Sequence, residues 1–157
     1  MPNNDCLFEN IYSAFLSAVE KYRLVEAGDR VAVCVSGGKD SMLASLFFKR
    51  YAAENPNVTV RYICMDPGYN AENRKMIESN AEKLGIPLDI FETQIFDSVV
   101  RIEKSPCYLC ARMRRGWLYR KAKEAGCNKI ALGHHFDDVT ETVLMSTLYS
   151  GQYQTML

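Results

Sequence analysis

The chain has 157 residues, with 19 basic and 19 acidic side chains and a hydrophobic fraction of 48%. This composition is ordinary for one globular domain and excludes a disordered, collagen-like or coiled-coil chain. No apolar run is long enough to span a membrane, and the first residues lack the basic and apolar parts of a signal peptide. We therefore expect a cytoplasmic protein without a membrane partner, whose six cysteines bind metal or react rather than form disulfides.

The first predicted element is an amphipathic helix over 10–24. Its apolar residues recur at helical spacing, which predicts a buried face. That face contains Ile11, Phe15, Leu16 and Val19. We assign residues 1–28 to an N-terminal helical segment and residues 29–157 to the domain that follows it.

Strands and helices then alternate along the chain. Strands are predicted over 30–35, 58–65, 88–93 and 129–132, and helices over 42–51, 71–84, 96–104 and 137–149, while 107–125 is predicted to start as a loop and to become a helix. This alternation predicts an α/β fold, a parallel twisted sheet with helices on both faces. Ligands of such sheets bind beyond the carboxyl ends of the strands. The segment from Gly151 to Leu157 leaves the last helix without an evident cap, so we expect the domain to be incomplete at its C-terminus.

A glycine-rich turn follows the first strand. Two glycines allow a close backbone approach to a ligand, and the start of the next helix favours an anion. A lysine adds a positive charge, so the turn predicts a phosphate site that is neither a Walker A loop nor a dinucleotide motif. The alternative is a plain turn in which Asp40 caps the helix. The turn consists of Ser36, Gly37, Gly38, Lys39, Asp40 and Ser41.

Two cysteines at metal-ligand spacing, Cys107 and Cys110, are predicted in a loop that leads into a basic helix. A structural zinc site, a redox dithiol and an iron–sulfur cluster all remain open. Zinc and a cluster would each need further ligands beyond these two cysteines. Cys34 and Cys64 lie inside predicted strands and are expected in the core. Cys127 follows a helix end, and Cys6 is expected in a loose tail.

Residues 107–129 include seven basic residues and one acidic residue, with interleaved aromatic residues. Such a mixture suits the phosphates and stacked bases of RNA, although a solvated helix face is the alternative. Arg114 lies one helical turn beyond Cys110 and is expected to face the same site. The candidate RNA contacts are Arg112, Arg115, Arg120 and Lys121.

A Gly-His-His-Phe-Asp-Asp loop follows the fourth strand. Gly133 allows the backbone to approach a nucleotide, and either Asp137 or Asp138 is expected to cap the next helix. The other carboxylate would then be free to bind Mg²⁺ or to assist proton transfer. The alternative is a capped helix with two surface histidines.

From about residue 29 onward, these motifs in this order resemble the tRNA 2-thiocytidine synthetase (TtcA) family and the related uridine thiolases, within the PP-loop ATP pyrophosphatases. The resemblance implies an adenine-nucleotide α-hydrolase-like fold that cleaves ATP between the α and β phosphates. The glycine-rich loop would hold pyrophosphate with Mg²⁺, and Asp40 is a candidate Mg²⁺ contact. Lys39 would contact the phosphates, while Met65 and Asp66 would lie near the adenosine.

The same resemblance implies a [4Fe–4S] cluster held by three cysteines. Two of them match Cys107 and Cys110, and the third is expected beyond Leu157. Arg114 and Asp138 would lie near the reacting base, a cytidine in the tRNA anticodon loop. ATP would adenylate its C2 oxygen, and sulfur carried on the cluster would replace that oxygen. Sulfur would come from a cysteine desulfurase, and the protein would be a homodimer.

Two other functions stay open from the sequence. The same chemistry on uridine would give a tRNA 2-thiouridine synthetase. A non-catalytic module that binds ATP or zinc belongs to a different class of protein.

Overall fold

The computed structural model describes the backbone of residues 4–93 and 106–155 and the side chains of residues 6–93 and 112–155. Strands and helices alternate along this part of the chain after an N-terminal helix. The helices are α1 (Asn4–Lys21), α2 (Lys39–Glu54), α3 (Ala71–Lys83), α4 (Pro106–Glu124) and α5 (Phe136–Ser150). The strands are β1 (Arg30–Cys34), β2 (Thr59–Asp66), β3 (Leu88–Glu92) and β4 (Lys129–Leu132). The helix predicted over 96–104 lies outside the described residues, and so does Leu157.

The four strands form one parallel sheet in the order β3-β2-β1-β4. Strand β1 lies in the interior of the sheet, where Val33 pairs with Tyr62 of β2 and with Ala131 of β4. Because the strands are parallel, their carboxyl ends all meet at one side of the sheet, which we call the carboxyl edge. The opposite side is the amino edge.

Helices cover both faces of the sheet, as the alternating pattern predicts. Val31, Val33 and Val35 contribute to a core that also contains residues of α1, α2 and α3. Ala32 and Cys34 point the other way and pack with Ala122 of α4. The continuous apolar run of β1 therefore follows from burial on both sides.

Helix α1 packs on α2 through an aromatic cluster. Its most buried residue is Tyr12, whereas Ile11, which the helical spacing placed inside, is 39% exposed. Tyr12 can be buried because its hydroxyl donates to Glu54 at 2.7 Å and Arg50 lies over its ring. Since α1 begins at Asn4, Cys6 lies on a helix and the prediction of a loose tail is wrong.

A polar network ties the amino edge together. The Asp29 carboxylate accepts hydrogen bonds from the backbone N–H of Glu26 at 2.7 Å and from the Asn128 side chain at 2.8 Å, and it pairs with Lys129 at 2.7 Å. Asn128 also accepts the N–H of Arg30 at 2.8 Å. These contacts join the ends of two strands that are distant in the sequence.

Helix α5 differs from the other helices because none of its described side chains is buried. Phe136, Leu148 and Tyr149 are each at least 78% exposed. Gly151 caps the helix in the left-handed conformation, with φ +62°, so the sequence-based expectation of an uncapped end is wrong. Within the described residues, no helix combines the length and the apolar character that crossing a membrane requires.

Candidate functional site

The glycine-rich loop joins β1 to α2 at the carboxyl edge. Helix α2 begins at Lys39, earlier than the sequence pattern predicts, and its N-cap is Gly38. Asp40 lies in the first turn of the helix, so its alternative role as N-cap is wrong. Because the cap residue has no side chain to accept hydrogen bonds, the first-turn N–H groups remain suited to an anion.

The Ser41 hydroxyl stabilises this loop from inside. It accepts hydrogen bonds from the backbone N–H and the hydroxyl of Ser36, both at 3.1 Å, and donates to the Gly38 carbonyl at 2.9 Å. Ser41 is 3% exposed, whereas Ser36 is exposed. Of the two predicted hydroxyl donors, Ser36 is therefore accessible to a ligand and Ser41 shapes the loop.

Gly37 lies where no side chain fits. Its φ is +86°, and a Cβ there would lie 2.6 Å from Cγ1 of Ile77 on α3. The loop is consequently held between the end of β1 and the side of α3. This contact explains the first of the two glycines by space as well as by conformation.

Lys39 and Asp40 form an ion pair on the first turn of α2. The Lys39 Nζ atom lies 2.8 Å and 2.9 Å from the two carboxylate oxygens. The hydrogen bond from Lys39 lowers the pKa of Asp40. Both side chains remain solvent-accessible, so a phosphate or a cation can reach the pair.

Met65 and Asp66 end β2 at the same edge. The Asp66 carboxylate accepts the N–H groups of Gly68 and Tyr69 at 2.9 Å and 2.6 Å, and Arg74 lies 3.6 Å away. Asp66 is 5% exposed. Its side chain therefore shapes the turn after β2.

The loop after β4 touches the glycine-rich loop directly. A Cβ on Gly133 would lie 2.7 Å from Cα and 2.8 Å from N of Ser41. Only glycine allows this approach of one backbone to another. The approach of the Gly133 backbone to a nucleotide stays a prediction, and the contact described here is with Ser41.

Helix α5 begins beside this contact. Its N-cap is His135 rather than either aspartate, and the Asp138 carboxylate accepts the His135 N–H at 2.8 Å. The His134 Nδ1 atom lies 3.7 Å from the same carboxylate. Asp137, by contrast, has a side chain that is 80% exposed. Asp138 is therefore the more ordered of the two carboxylates.

Helix α4 brings the cysteine motif to the carboxyl edge. It begins at Pro106, so the backbone of Cys107 and Cys110 lies at its N-terminal end and the predicted loop is wrong there. Met113 and Trp117 of α4 pack on Met65, the penultimate residue of β2. This packing covers Met65, which is 8% exposed.

Arg114 faces the turn that follows β2. Burial raises the pKa of Tyr69, and the positive charge of Arg114 opposes that shift. The two side chains are therefore close enough to interact, although they come from opposite faces of the sheet. Arg114 is half-buried, as expected for a group that faces a site rather than the solvent.

The four candidate RNA contacts on α4 have different surroundings. Arg112 and Arg120 are exposed, and the Arg120 guanidinium lies 4.8 Å from the centre of the Trp117 ring. Lys121 pairs with Glu124 at 2.8 Å, and Arg115 is half-buried. The accessible cations are therefore on more than one side of the helix.

The remaining cysteines lie away from the motif. Burial raises the pKa of Cys34 to about 12 and that of Cys64 to about 11, which favours the neutral thiols. This confirms both as core residues. Cys127 follows α4 toward the amino edge.

The ligand set of the predicted cluster is described only in part. The residues with described side chains contain no group of three or more metal-ligating residues. The spacing of Cys107 and Cys110 fits two thiolate ligands on one helix end. The third cysteine, expected beyond Leu157, lies outside the described residues and stays a prediction.

Three comparisons with known proteins bear on this arrangement. A family profile for the PP-loop domain matches residues 9–156. The chain belongs to the PP-loop domain family. We refer to the glycine-rich loop at 36–41 as the PP-loop because of its resemblance to that motif.

Curated relatives and solved structures extend the comparison. The chain is 37% identical to a tRNA-cytidine(32) 2-sulfurtransferase of Neisseria meningitidis serogroup A, over 98% of this chain and 49% of the relative. It is 39% identical to a protein of that name from Alkalilimnicola ehrlichii, over 89% of this chain and 46% of the relative. The chain therefore spans about half the length of these relatives.

A solved structure with a similar fold is the U34-tRNA thiolase NcsA of Methanococcus maripaludis with its [4Fe–4S] cluster. The TM-score is 0.77 at 25% identity, and the match covers 93% of this chain and 52% of that chain. An NH₃-dependent NAD synthetase of Campylobacter jejuni has a TM-score of 0.59 at 22% identity, over 94% of this chain and 61% of that chain. The latter likeness shows the fold alone.

Two features of the site have no counterpart in the motif pattern. One is the contact between Gly133 and Ser41, because spacing along the chain does not show which loops touch. The other is Arg74, which pairs with Asp66, Glu78 and Glu92 and so joins the ends of β2 and β3. The only sequence signal for Arg74 is its position one turn into a helix that starts at the carboxyl edge.

Proposed function

We propose that the chain is the nucleotide-binding domain of a tRNA sulfurtransferase that forms 2-thiocytidine in the anticodon loop. The observation that carries this proposal is the meeting of three motifs at one edge. The PP-loop touches the loop after β4 through Gly133, and Met113 of α4, three residues after Cys110, packs on Met65 near the end of β2. The relatives named tRNA-cytidine(32) 2-sulfurtransferase support the cytidine substrate.

The PP-loop would bind the two phosphates that leave as pyrophosphate. Backbone N–H groups from Gly37, Gly38 and Lys39 and the exposed Ser36 hydroxyl suit phosphate oxygens. ATP binding would separate Lys39 from Asp40, so that the ammonium contacts phosphate and the carboxylate faces the Mg²⁺ carried by ATP. Ser41 would hold the loop in shape throughout.

The adenosine would lie toward the end of β2 and the loop after β4. Gly133 would bring its backbone close to the nucleotide while its α-carbon packs against the backbone of Ser41. Met65 and Asp66 would form the floor of this region, with Asp66 acting through the turn it stabilises. Adenylation of the base C2 oxygen converts a poor leaving group into AMP, which is the reason for spending ATP in this reaction.

Arg114 and Asp138 would act on the base. Arg114 would stabilise negative charge on the α-phosphate oxygens as the C2 oxygen attacks the α-phosphorus and pyrophosphate leaves. Asp138, held beside two histidines, would accept a proton or orient the base. Both residues lie on elements that start at the carboxyl edge, where the α-phosphate would be.

Cys107 and Cys110 would hold two corners of a [4Fe–4S] cluster, and a cysteine beyond Leu157 would hold the third. When bound, the cluster would supply the sulfur that replaces the activated oxygen. The basic residues Arg112, Arg115, Arg120 and Lys121 would bind the tRNA. A cysteine desulfurase would be the sulfur source, and cytoplasmic location and homodimerisation are part of the same proposal.

The test is nucleoside mass spectrometry of tRNA from a strain in which the gene is deleted. We expect 2-thiocytidine to disappear, to return with the wild-type gene and to stay below about a tenth of the wild-type amount with Arg114→Lys or Asp138→Asn, as for loss of one electrostatic or acid–base group. Lys83→Glu, on the far face of the sheet, is the matched control and should restore it. Unchanged 2-thiocytidine in the deletion strain would contradict the proposal.

A second candidate is thiolation of uridine, which the similarity to a U34-tRNA thiolase favours. The same experiment separates the two, since loss of a 2-thiouridine derivative would replace the loss of 2-thiocytidine. A non-catalytic ATP- or zinc-binding module would change neither nucleoside.

A further inference from the structure

The two faces of the sheet differ in the balance of charge. Helix α3 has three basic and three acidic residues, whereas α4 has six basic residues and one acidic residue, a net charge of +5. On the α1–α3 face, Arg50 binds Glu9 and Glu54, and Arg74 binds three carboxylates. Positive charge on that face is largely neutralised within the protein.

Several cations on the α4 face lack such partners. Within residues 6–93 and 112–155, four cations of this face have no carboxylate oxygen within 4.0 Å. They are Arg61, Arg112, Arg115 and Lys123. The one acidic residue of α4, Glu124, pairs with Lys121. The excess positive charge of this face is therefore available to an external anion.

Arg61 extends this positive surface from the helix onto the sheet. It pairs in register with Ala32, and Ala32 packs against Ala122 of α4, so Arg61 points to the α4 face. Arg30, two residues before Ala32, points the same way and donates to the Ala125 carbonyl at 3.4 Å. Both arginines are exposed. They lie at the amino edge, at the opposite end of the sheet from the PP-loop.

A role in stabilising the fold explains only some of these positively charged side chains. Cations near a helix C-terminus stabilise its unpaired carbonyl groups, and Arg30 does so for α4. Arg61 makes no hydrogen bond to a carbonyl or a carboxylate among the described residues. Pairing with a carbonyl or a carboxylate therefore does not explain its charge in the described part of the fold.

We propose that Arg61, Lys123 and the exposed arginines of α4 bind the phosphate backbone of the tRNA stem next to the modified loop. This inference rests on the proposed function, because it takes tRNA as the substrate. From Arg112 to Lys123 the helix rises about 16 Å at about 1.5 Å per residue. A substrate that is modified at the carboxyl edge and also contacts the amino edge must be a long polyanion, as an RNA stem is.

The experiment measures tRNA binding by the intact protein at several salt concentrations. We expect Arg61→Glu and Lys123→Glu each to weaken binding several-fold and to reduce the slope of log K against log salt by about 1. Lys83→Glu is the matched control, since it reverses an exposed cation at the end of α3 on the other face. ATP affinity should be unchanged in all three variants, and Lys83→Glu and Lys123→Glu should lower the thermal unfolding midpoint by a similar small amount because both lysines lie in the last turn of a helix.

The outcomes separate this inference from the proposed function. If the wild-type protein fails to bind tRNA, both are wrong. If it binds and Arg61→Glu behaves as Lys83→Glu does, only the extension to the amino edge is wrong. Should Arg61→Glu unfold at a lower temperature, Arg61→Gln removes the charge without adding a carboxylate, and an unchanged salt slope in that variant would overturn the proposal.

Discussion

Gly133 lies directly against the backbone of Ser41, so that the loop after β4 supports the first turn of α2. A Cβ at Gly133 would come within 2.8 Å of both the Cα and the N atom of Ser41. The same Ser41 fixes the PP-loop through its hydroxyl. One residue thus couples the shape of the phosphate site to the position of the loop that carries His135 and leads to Asp138.

Replacing Gly133 by alanine should damage ATP binding. The added methyl group meets backbone atoms, which yield less readily than side chains, so one of the two loops must move. We expect a loss of roughly 1–3 kcal/mol of stability, typical of an overpacked site, and about tenfold weaker ATP binding by calorimetry. Gly116→Ala is the control, since a Cβ at Gly116 meets nothing within 4 Å. Equal ATP affinity in the two variants would contradict this role of Gly133.

Removing the Ser41 hydroxyl should loosen the PP-loop. Ser41→Ala deprives the Ser36 N–H of its acceptor and the Gly38 carbonyl of its donor, at a cost of about 0.5–1.5 kcal/mol for each hydrogen bond. We expect a lower midpoint of thermal unfolding and weaker ATP binding. Ser17→Ala, which removes an exposed hydroxyl bonded to the Ser13 carbonyl, should change neither. A Ser41→Ala protein with normal ATP affinity would show that the hydroxyl is dispensable for the loop.

Acid should weaken the amino edge through Asp29. Hydrogen bonds from Lys129, from the Glu26 N–H and from Asn128 lower the pKa of Asp29 to about 2, from 3.8. Because the folded-state pKa is the lower one, this carboxylate contributes its full stabilisation above pH 3.8 and loses it as the pH falls toward 2. Urea unfolding from about pH 7 to about pH 2 should show a smaller fall in stability for Asp29→Asn than for the wild type.

The difference between the two profiles of stability against pH reports on Asp29, because the other carboxylates titrate in both proteins. Asp29→Asn should also be less stable than the wild type at neutral pH, since its pairing with Lys129 is lost. Lys129→Met removes the same ion pair and should reduce the benefit of an ionised Asp29. Parallel pH profiles for wild type and Asp29→Asn would rule out this source of acid sensitivity.

Anaerobic reconstitution with iron and sulfide should distinguish the metal sites. We expect iron and acid-labile sulfide to bind and to be lost in Cys107→Ser and in Cys110→Ser, because both residues lie in the first turns of α4. Cys127→Ser, at the other end of α4, is the control and should retain both. Zinc without sulfide would assign the two cysteines to a structural site and contradict the cluster.

The sheet could be predicted from the sequence because local patterns determine it. The apolar run of β1 and the glycines that end α3 and α4 mark the alternation, and β4 has the bounds that the pattern predicts. The start of α2 was predicted too late because a glycine can be an N-cap without any side-chain signal. On α1, Val19 is buried as predicted, but Ile11 is not, and Tyr12 was missed because its burial depends on Glu54 and Arg50 of another helix.

The sequence predicted which motifs form the candidate site. It did not predict how their side chains are arranged. The motif order indicated that the PP-loop, α4 and the loop after β4 would share an edge, since parallel strands bring their carboxyl ends together. That Ser41 and Asp66 use their side chains within their own loops depends on three-dimensional contacts. The role of Arg61 also depends on three-dimensional contacts. In the sequence it is an ordinary strand residue, and only its register with Ala32 assigns it to the α4 face.

The place of β1 inside the sheet has a consequence for synthesis on the ribosome. One of its edges pairs with β2 soon after both have emerged, but the other must wait for β4, about 100 residues later. At about 5–20 residues per second that interval is about 5–20 s. During it the nascent sheet exposes the open edge of an apolar strand, which makes this stage of synthesis the one in which the chain most needs protection from pairing with other chains.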